Sequence, residues 1–260
     1  MPPRTTRVVP RIVQDVVRFG VRWLCRCILR LLRIEVRTVG ALPVGPALLV
    51  ANHLSWIDIV AMVAHYDCTF VAKDDVRDWP VVGVLGEALG VIWIDRRRKR
   101  DLRRAIAVLS ASLQQGTRVV LFPEGTTTNG RQVLPFRSSL LEAAVIAHVP
   151  VVPVALSAHA ADGQGETLCW FGDETLLAHL PRVFALRQAT FEIRVLTPLA
   201  AGPTRKVQSA GARAVIVFAR RLHLLQPAVG YGVSKVAKQN FRPIESSDRE
   251  IDRYREIFSG

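Results

Sequence analysis

The residues best placed for chemistry are His53 and Asp58, in the run Asn52-His-Leu-Ser-Trp-Ile-Asp58. An imidazole works as a general base near neutral pH when a carboxylate hydrogen-bonds its second nitrogen and fixes the tautomer. Asp58, five residues on, has the spacing to be that carboxylate. The same stretch has a purely structural reading, because Ser55-x-x-Asp58 is a capping box in which the acidic side chain turns back to the helix N-terminus. The cap accounts for Asp58 at least as well as the base does, and it leaves His53 without a role. A second constellation, Phe122-Pro-Glu-Gly-Thr-Thr-Thr-Asn-Gly130, can turn sharply and present N–H and O–H donors to an anion. It lacks the Lys of a phosphate-binding P-loop, which argues against a nucleotide site. Glu124 reads equally as a ligand to a substrate hydroxyl and as an anchor for its own loop.

Strands and helices must bring these two segments together. Ala47–Ala51 reads as a short buried strand feeding a helix that starts at Ser55. Strands over 69–72, 91–94, 118–122, 151–156 and 190–196 alternate with helices over 80–88, 101–114, 138–148 and 204–224. This alternation predicts a single α/β domain with a largely parallel central sheet flanked by helices. In such domains chemistry gathers on loops at the carboxyl ends of strands, where 52–58, 94–99 and 122–129 all fall. The expected organisation is a basic amphipathic helical membrane-anchoring segment over 1–39, the α/β domain over 40–225, and a polar tail over 226–260.

Composition excludes a disordered or fibrous chain, since half of the 260 residues are apolar. Thirty-five Lys plus Arg against 22 Asp plus Glu leave +13, which points to an anionic partner. The N-terminal stretch is the most basic, and Arg18, Arg22, Arg26 and Arg30 recur every four residues on one helical face. Val17, Val21, Leu24, Cys25, Ile28, Leu31 and Leu32 occupy the opposite face, a composition suited to an anionic membrane interface. An Arg at every fourth position breaks the apolar run that a signal peptide or a spanning helix needs, so the helix is expected to lie on the membrane. The alternative is the same helix packed on its own domain with its basic face in water. The run Arg96-Arg-Arg-Lys-Arg100, with Arg103 and Arg104, reads either as a solvated face or as a site for anionic groups. Cysteines at 25, 27, 68 and 169 have neither disulfide nor metal spacing, and no metal site is expected. The rival from another class is a non-catalytic basic protein that binds membrane or nucleic acid. No zinc-finger, RNP or helix-turn-helix spacing supports nucleic acid as the partner.

Taken in order, Asn-His53-x4-Asp58, Gly90-Val-Ile-Trp-Ile-Asp-Arg96, Phe122-Pro-Glu-Gly-Thr126 and Val149-Pro-Val-Val-Pro-Val154 resemble the glycerolipid acyltransferase family, whose bacterial members make phosphatidic acid from lysophosphatidic acid. The resemblance covers about residues 40–225. It implies acyl transfer without an acyl-enzyme, in which His53 takes the proton of the acceptor hydroxyl and Asp58 supports the imidazolium. The donor it implies is an acyl thioester, acyl-CoA or acyl carrier protein, with no further cofactor. It places Glu124 and Gly125 at the acceptor's glycerol phosphate, with Thr126 in the same binding motif, and Lys73 and Arg96 close enough to neutralise the charge. Many relatives read Glu-Gly-Thr-Arg-Ser, with the Arg on phosphate, whereas this chain has Thr127 there. Arg137, after Leu134-Pro-Phe136, is the residue expected to supply charge instead. The form Glu-Gly-Thr-Thr-Thr-Asn-Gly is also similar to acyltransferases that finish ornithine lipids, whose acceptors carry an amino-acid headgroup and no phosphate. The expectation is a peripheral enzyme on the cytoplasmic face of the inner membrane. Its first acceptor is lysophosphatidate and its alternative acceptor is a lyso-ornithine lipid.

Overall fold

The computed structural model describes residues 11–94, 99–160, 165–199 and 204–225. The strands are β1 (Ile34–Val39), β2 (Ala47–Ala51), β3 (Thr69–Lys73), β4 (Ile92–Ile94), β5 (Arg118–Leu121), β6 (Val151–Ala160) and β7 (Ala189–Val195). The helices are α1 (Arg11–Leu31), α2 (Trp56–His65), α3 (Pro80–Leu89), α4 (Lys99–Gln114), α5 (Glu142–Ala147), α6 (Leu176–Ala185) and α7 (Arg205–Leu225). The strands form one sheet in the order β1-β7-β6-β2-β5-β3-β4. Every neighbouring pair is parallel except β6 with β7, as the alternating pattern predicts.

Burial explains why β2 is central. All five residues of Ala47-Leu-Leu-Val-Ala51 are fully buried, the uninterrupted apolar run needed by a parallel strand covered on both faces. Residues of α1, α2 and α6 pack on one face, in the core that holds Ile57, Met62 and Val183. Residues of α4 and α5 pack on the other, with Leu109, Leu113 and Ala144. The connection from β2 therefore runs through α2 to β3, while that from β5 runs through α5 to β6 on the opposite side of β2. Adjacent strands whose connections part in this way leave a crevice between their carboxyl ends. His53 follows β2 and Glu124 follows β5, so the fold brings both motifs to that crevice.

Two expectations need correction, and one helix has no counterpart in the sequence pattern. The segment assigned to helix over 1–39 ends in a strand: Arg33 takes a left-handed φ of 55°, and Ile34–Val39 then pairs in parallel with β7. The first strand of the sheet thus lies inside the stretch read as anchor, its apolar and polar residues alternating as an edge strand requires. The helix α6 was not anticipated, because Pro181 interrupts its pattern. Finally, α1 is not divided into a water face and a lipid face. Val21, Cys25, Leu29 and Leu32 are buried in the domain core, whereas Val16, Phe19, Trp23, Leu24 and Leu31 are exposed on a different arc. The residues 226–260 assigned to a tail lie outside the described residues.

Candidate active site

His53 and Asp58 come together at the N-terminus of α2. Nδ1 of His53 lies 2.6 Å from Oδ2 of Asp58. The same oxygen accepts the N–H groups of Leu54 at 2.6 Å and Ser55 at 3.1 Å. Ser55 accepts the Ile57 N–H on its hydroxyl and completes the capping box with Asp58. The cap and the imidazole partner are therefore one carboxylate, whose spacing serves both contacts at once. A carboxylate only accepts, so the neutral ring carries its proton on Nδ1 and leaves Nε2 as the basic nitrogen. Nε2 has no hydrogen-bond partner among the described residues. The Asp58 side chain is fully buried and that of His53 is 18% exposed, the asymmetry expected of a hidden orienting group behind an accessible base. Phe122 stacks on the imidazole with ring centroids 4.0 Å apart and planes 13° apart, which holds the ring flat against the loop after β5.

Glu124 ties the two motifs together. It is buried, and its two oxygens accept the backbone N–H of His53 and the backbone N–H of Leu134, each at 2.8 Å. Burial pushes its carboxyl above the ordinary range, opposed by those two N–H groups and by the charges of His53 and Arg220. Of its two readings, loop anchor is the one this geometry displays. Gly125 takes a φ of 76°, which lets its N–H turn back to the Phe122 carbonyl at 3.2 Å. Thr128 donates its N–H to the His53 carbonyl at 3.0 Å, so both backbone groups of His53 are held by the loop after β5.

The sequence profile of the Acyltransferase family matches residues 33–157, which contain all of this constellation. A protein of Pseudomonas aeruginosa named lyso-ornithine lipid O-acyltransferase is 39% identical over 179 residues, covering 68% of this chain and 69% of its own length. The chain belongs to the acyltransferase family. A 1-acyl-sn-glycerol-3-phosphate acyltransferase of Neisseria gonorrhoeae is 34% identical to this acyltransferase over 56% of the chain. The crystal structure of the lysophosphatidic acid acyltransferase PlsC from Thermotoga maritima shares its fold, with a TM-score of 0.67, 19% identity and 85% of this chain covered.

The remaining sequence-derived candidates of the acyltransferase separate by position. Lys73 ends β3, exposed, in register with Ile94 at the end of β4. Thr126 and Arg137 are exposed on the loop after β5, and the Arg137 N–H donates to the Pro123 carbonyl at 3.0 Å. Arg96 lies outside the described residues, whereas Arg100, Arg103 and Arg104 of the same basic run are exposed on α4. Trp56 donates from its indole to Nδ1 of the buried His179 at 3.0 Å. Burial pushes the Cys169 thiol up to about 12, so the one cysteine near Asp58 stays protonated and is a poor nucleophile.

Sequence reasoning missed two contributors. Asn52 is buried, donates to the Leu156 carbonyl at 3.1 Å and accepts the Leu156 N–H at 2.8 Å, which pins the residue before His53 to β6. Arg220 of α7 donates to the carbonyls of Leu156 and Gly130. The signal for Asn52 was a buried-strand run ending on an amide. Arg220 had none, lying almost a hundred residues beyond the loop it holds.

Proposed function

We propose that this acyltransferase moves a fatty acyl group from an acyl thioester to the free hydroxyl of a lysolipid, with His53 as the general base. The observation that carries the proposal is the 2.6 Å contact from Asp58 to Nδ1 of His53, which leaves Nε2 as the acceptor of a proton. Nε2 takes the proton of the lysolipid hydroxyl as its oxygen bonds to the thioester carbonyl carbon. The buried carboxylate stabilises the imidazolium that forms. Collapse of the tetrahedral intermediate breaks the carbon–sulfur bond, and the imidazolium returns its proton to the departing thiolate. A thioester is activated already, so the base can attack through the acceptor directly and needs no acyl-enzyme. The protonated state of Cys169 agrees with that route.

The first acceptor in this reading is a lyso-ornithine lipid. It is supported by Thr127, which stands where a phosphate-binding Arg would follow Glu-Gly-Thr. It is supported too by the Pseudomonas relative, which matches a longer stretch at higher identity than the Neisseria one. Lysophosphatidate is the second reading, favoured by Lys73 and Arg137, both exposed at the carboxyl end of the sheet. In either case Gly125 and Thr126 form the acceptor side of the site, on the loop that Glu124 anchors. The donor is acyl-CoA or acyl carrier protein.

Such an acceptor lies in a membrane, and among the described residues no helix is long and apolar enough to cross one. The exposed arc of α1, with Phe19, Trp23 and Leu31 beside Arg26 and Arg30, supports peripheral docking on the cytoplasmic, anionic face. The experiment is a competition: purified protein, palmitoyl-coenzyme A, and lyso-ornithine lipid and lysophosphatidate together in mixed micelles. Preferential acylation of the ornithine lipid supports the first acceptor. Preferential formation of phosphatidate overturns it in favour of the second, and acylation of neither overturns the lysolipid reading.

A further inference from the structure

Two arginines of α7 reach the loops that hold His53. Arg220 donates through its terminal nitrogens to the carbonyls of Leu156 and Gly130. Arg213, seven residues and about two turns earlier, donates to the carbonyls of Leu134 at 2.9 Å and Val133 at 2.8 Å. These carbonyls stand close to the base by hydrogen-bond connection. Leu156 is the residue that Asn52 clamps on both its backbone groups. Gly130 donates its N–H to the Thr128 hydroxyl at 3.3 Å, and Thr128 holds the His53 carbonyl. Leu134 is the residue whose N–H Glu124 shares with that of His53.

We infer that Arg220 is a positioning residue for acyl transfer, its guanidinium locking the end of β6 to the loop after β5 and so fixing the backbone of His53 between them. The inference rests on His53 acting as the base. A planar fork reaches two separate carbonyls from two nitrogens held a fixed distance apart, a geometry that the single nitrogen of lysine does not reproduce. Gly130 takes a φ of 76°, the left-handed region that favours glycine, and a Cβ there would crowd Leu54 at 3.2 Å while meeting Arg220 at an ordinary 3.5 Å. The cation also interacts electrostatically with the carboxylates of Glu124 and Asp58, while its hydrogen bonds hold the loops. Burial lowers the guanidinium's proton affinity and those groups oppose the effect.

The test is steady-state acyl transfer by the full chain from palmitoyl-coenzyme A, with lyso-ornithine lipid and lysophosphatidate as separate acceptors. Arg220→Met is expected to lower kcat about a hundredfold while the KM for the donor changes less than about threefold, because displacement of the base weakens the reaction more than donor binding. Arg220→Lys, which keeps the charge but offers its donors from a single nitrogen, is expected to recover part of that loss. Free guanidinium at non-denaturing concentration is expected to raise the activity of Arg220→Ala and to leave His53→Ala inactive. Wild-type kcat in Arg220→Met overturns the inference. A loss in Arg220→Ala that follows its unfolded fraction by circular dichroism, untouched by guanidinium, overturns it as well. Full turnover by His53→Ala is the distinct result that removes the base, and the inference with it.

Discussion

One oxygen of Asp58 both caps α2 and orients His53. Oδ2 lies 2.6 Å from the imidazole Nδ1 and accepts the N–H groups of Leu54 and Ser55, while the buried Oδ1 has no hydrogen-bond partner among the described residues. Asp58→Asn therefore separates geometry from charge. The amide oxygen can take over every Oδ2 contact, with the NH2 in the place of Oδ1. The expected outcome is a folded protein with the Nδ1–H tautomer intact and kcat reduced at least about a hundredfold, through loss of support for the imidazolium. Melting curves and steady-state kinetics on the same preparation check both halves.

Glu124 accepts two backbone N–H groups, so Glu124→Gln must set its own NH2 against one of them. A loss of about 1–3 kcal/mol in stability is expected from the unsatisfied donors, measured by urea unfolding. The pH dependence has a definite sign. Burial raises the folded carboxyl above its unfolded value, so the contribution is complete below the unfolded range and fades as pH rises through the folded one. The stability difference between wild type and Glu124→Gln should therefore shrink from acid toward neutral pH. A difference that grows over that interval would refute the assignment.

His179 accepts the Trp56 indole N–H on Nδ1, and its Nε2 lies 3.0 Å from the Thr167 carbonyl, a pairing that requires the neutral ring. Burial holds this imidazole below its ordinary value. The unfolded chain then binds the proton first, and stability is expected to fall as pH drops below about 6.5. Trp56 opens α2 directly after the His53 loop, so its fluorescence reports the change. In His179→Gln that acid-dependent component should disappear.

The exposed arc of α1 yields a membrane prediction. Phe19→Ser with Trp23→Ser removes two exposed aromatics without touching Val21, Cys25 or Leu29 of the buried stripe. Flotation with anionic vesicles should fall at least about tenfold, the scale set by burying one to two large apolar side chains. The melting temperature should stay within a few degrees, about the change expected for surface substitutions. Unchanged flotation would remove α1 from the docking surface.

The fold was legible wherever burial imposed a simple pattern. Ala47–Ala51 reads as a central strand because both faces are covered, and His53 reads as chemistry because it sits on the strand-to-helix junction that such sheets open to solvent. The strand β1 was hidden because its Arg37, seven residues beyond Arg30, falls on the same helical arc as the arginines of α1, while only Ile34 of the strand is buried. The clamps of Arg213 and Arg220 were illegible for another reason, and that of Asn52 was signalled only by the amide that ends its buried run. Their partners are backbone carbonyls and amides contributed by distant segments, and a backbone group leaves no residue type to recognise. The double duty of Asp58 falls between these cases: its spacing carried both roles, and only the shared oxygen shows that they coexist.

The most direct test of the central claim follows thiol release and lipid product together, in wild type and in His53→Ala, with palmitoyl-coenzyme A and a lysolipid acceptor. The account predicts one thiol per acylated lipid, no thiol burst without acceptor, and a loss of about 10²–10⁴-fold in His53→Ala at an unchanged melting temperature. Wild-type turnover by His53→Ala, or a stoichiometric thiol burst before acceptor is added, would contradict it.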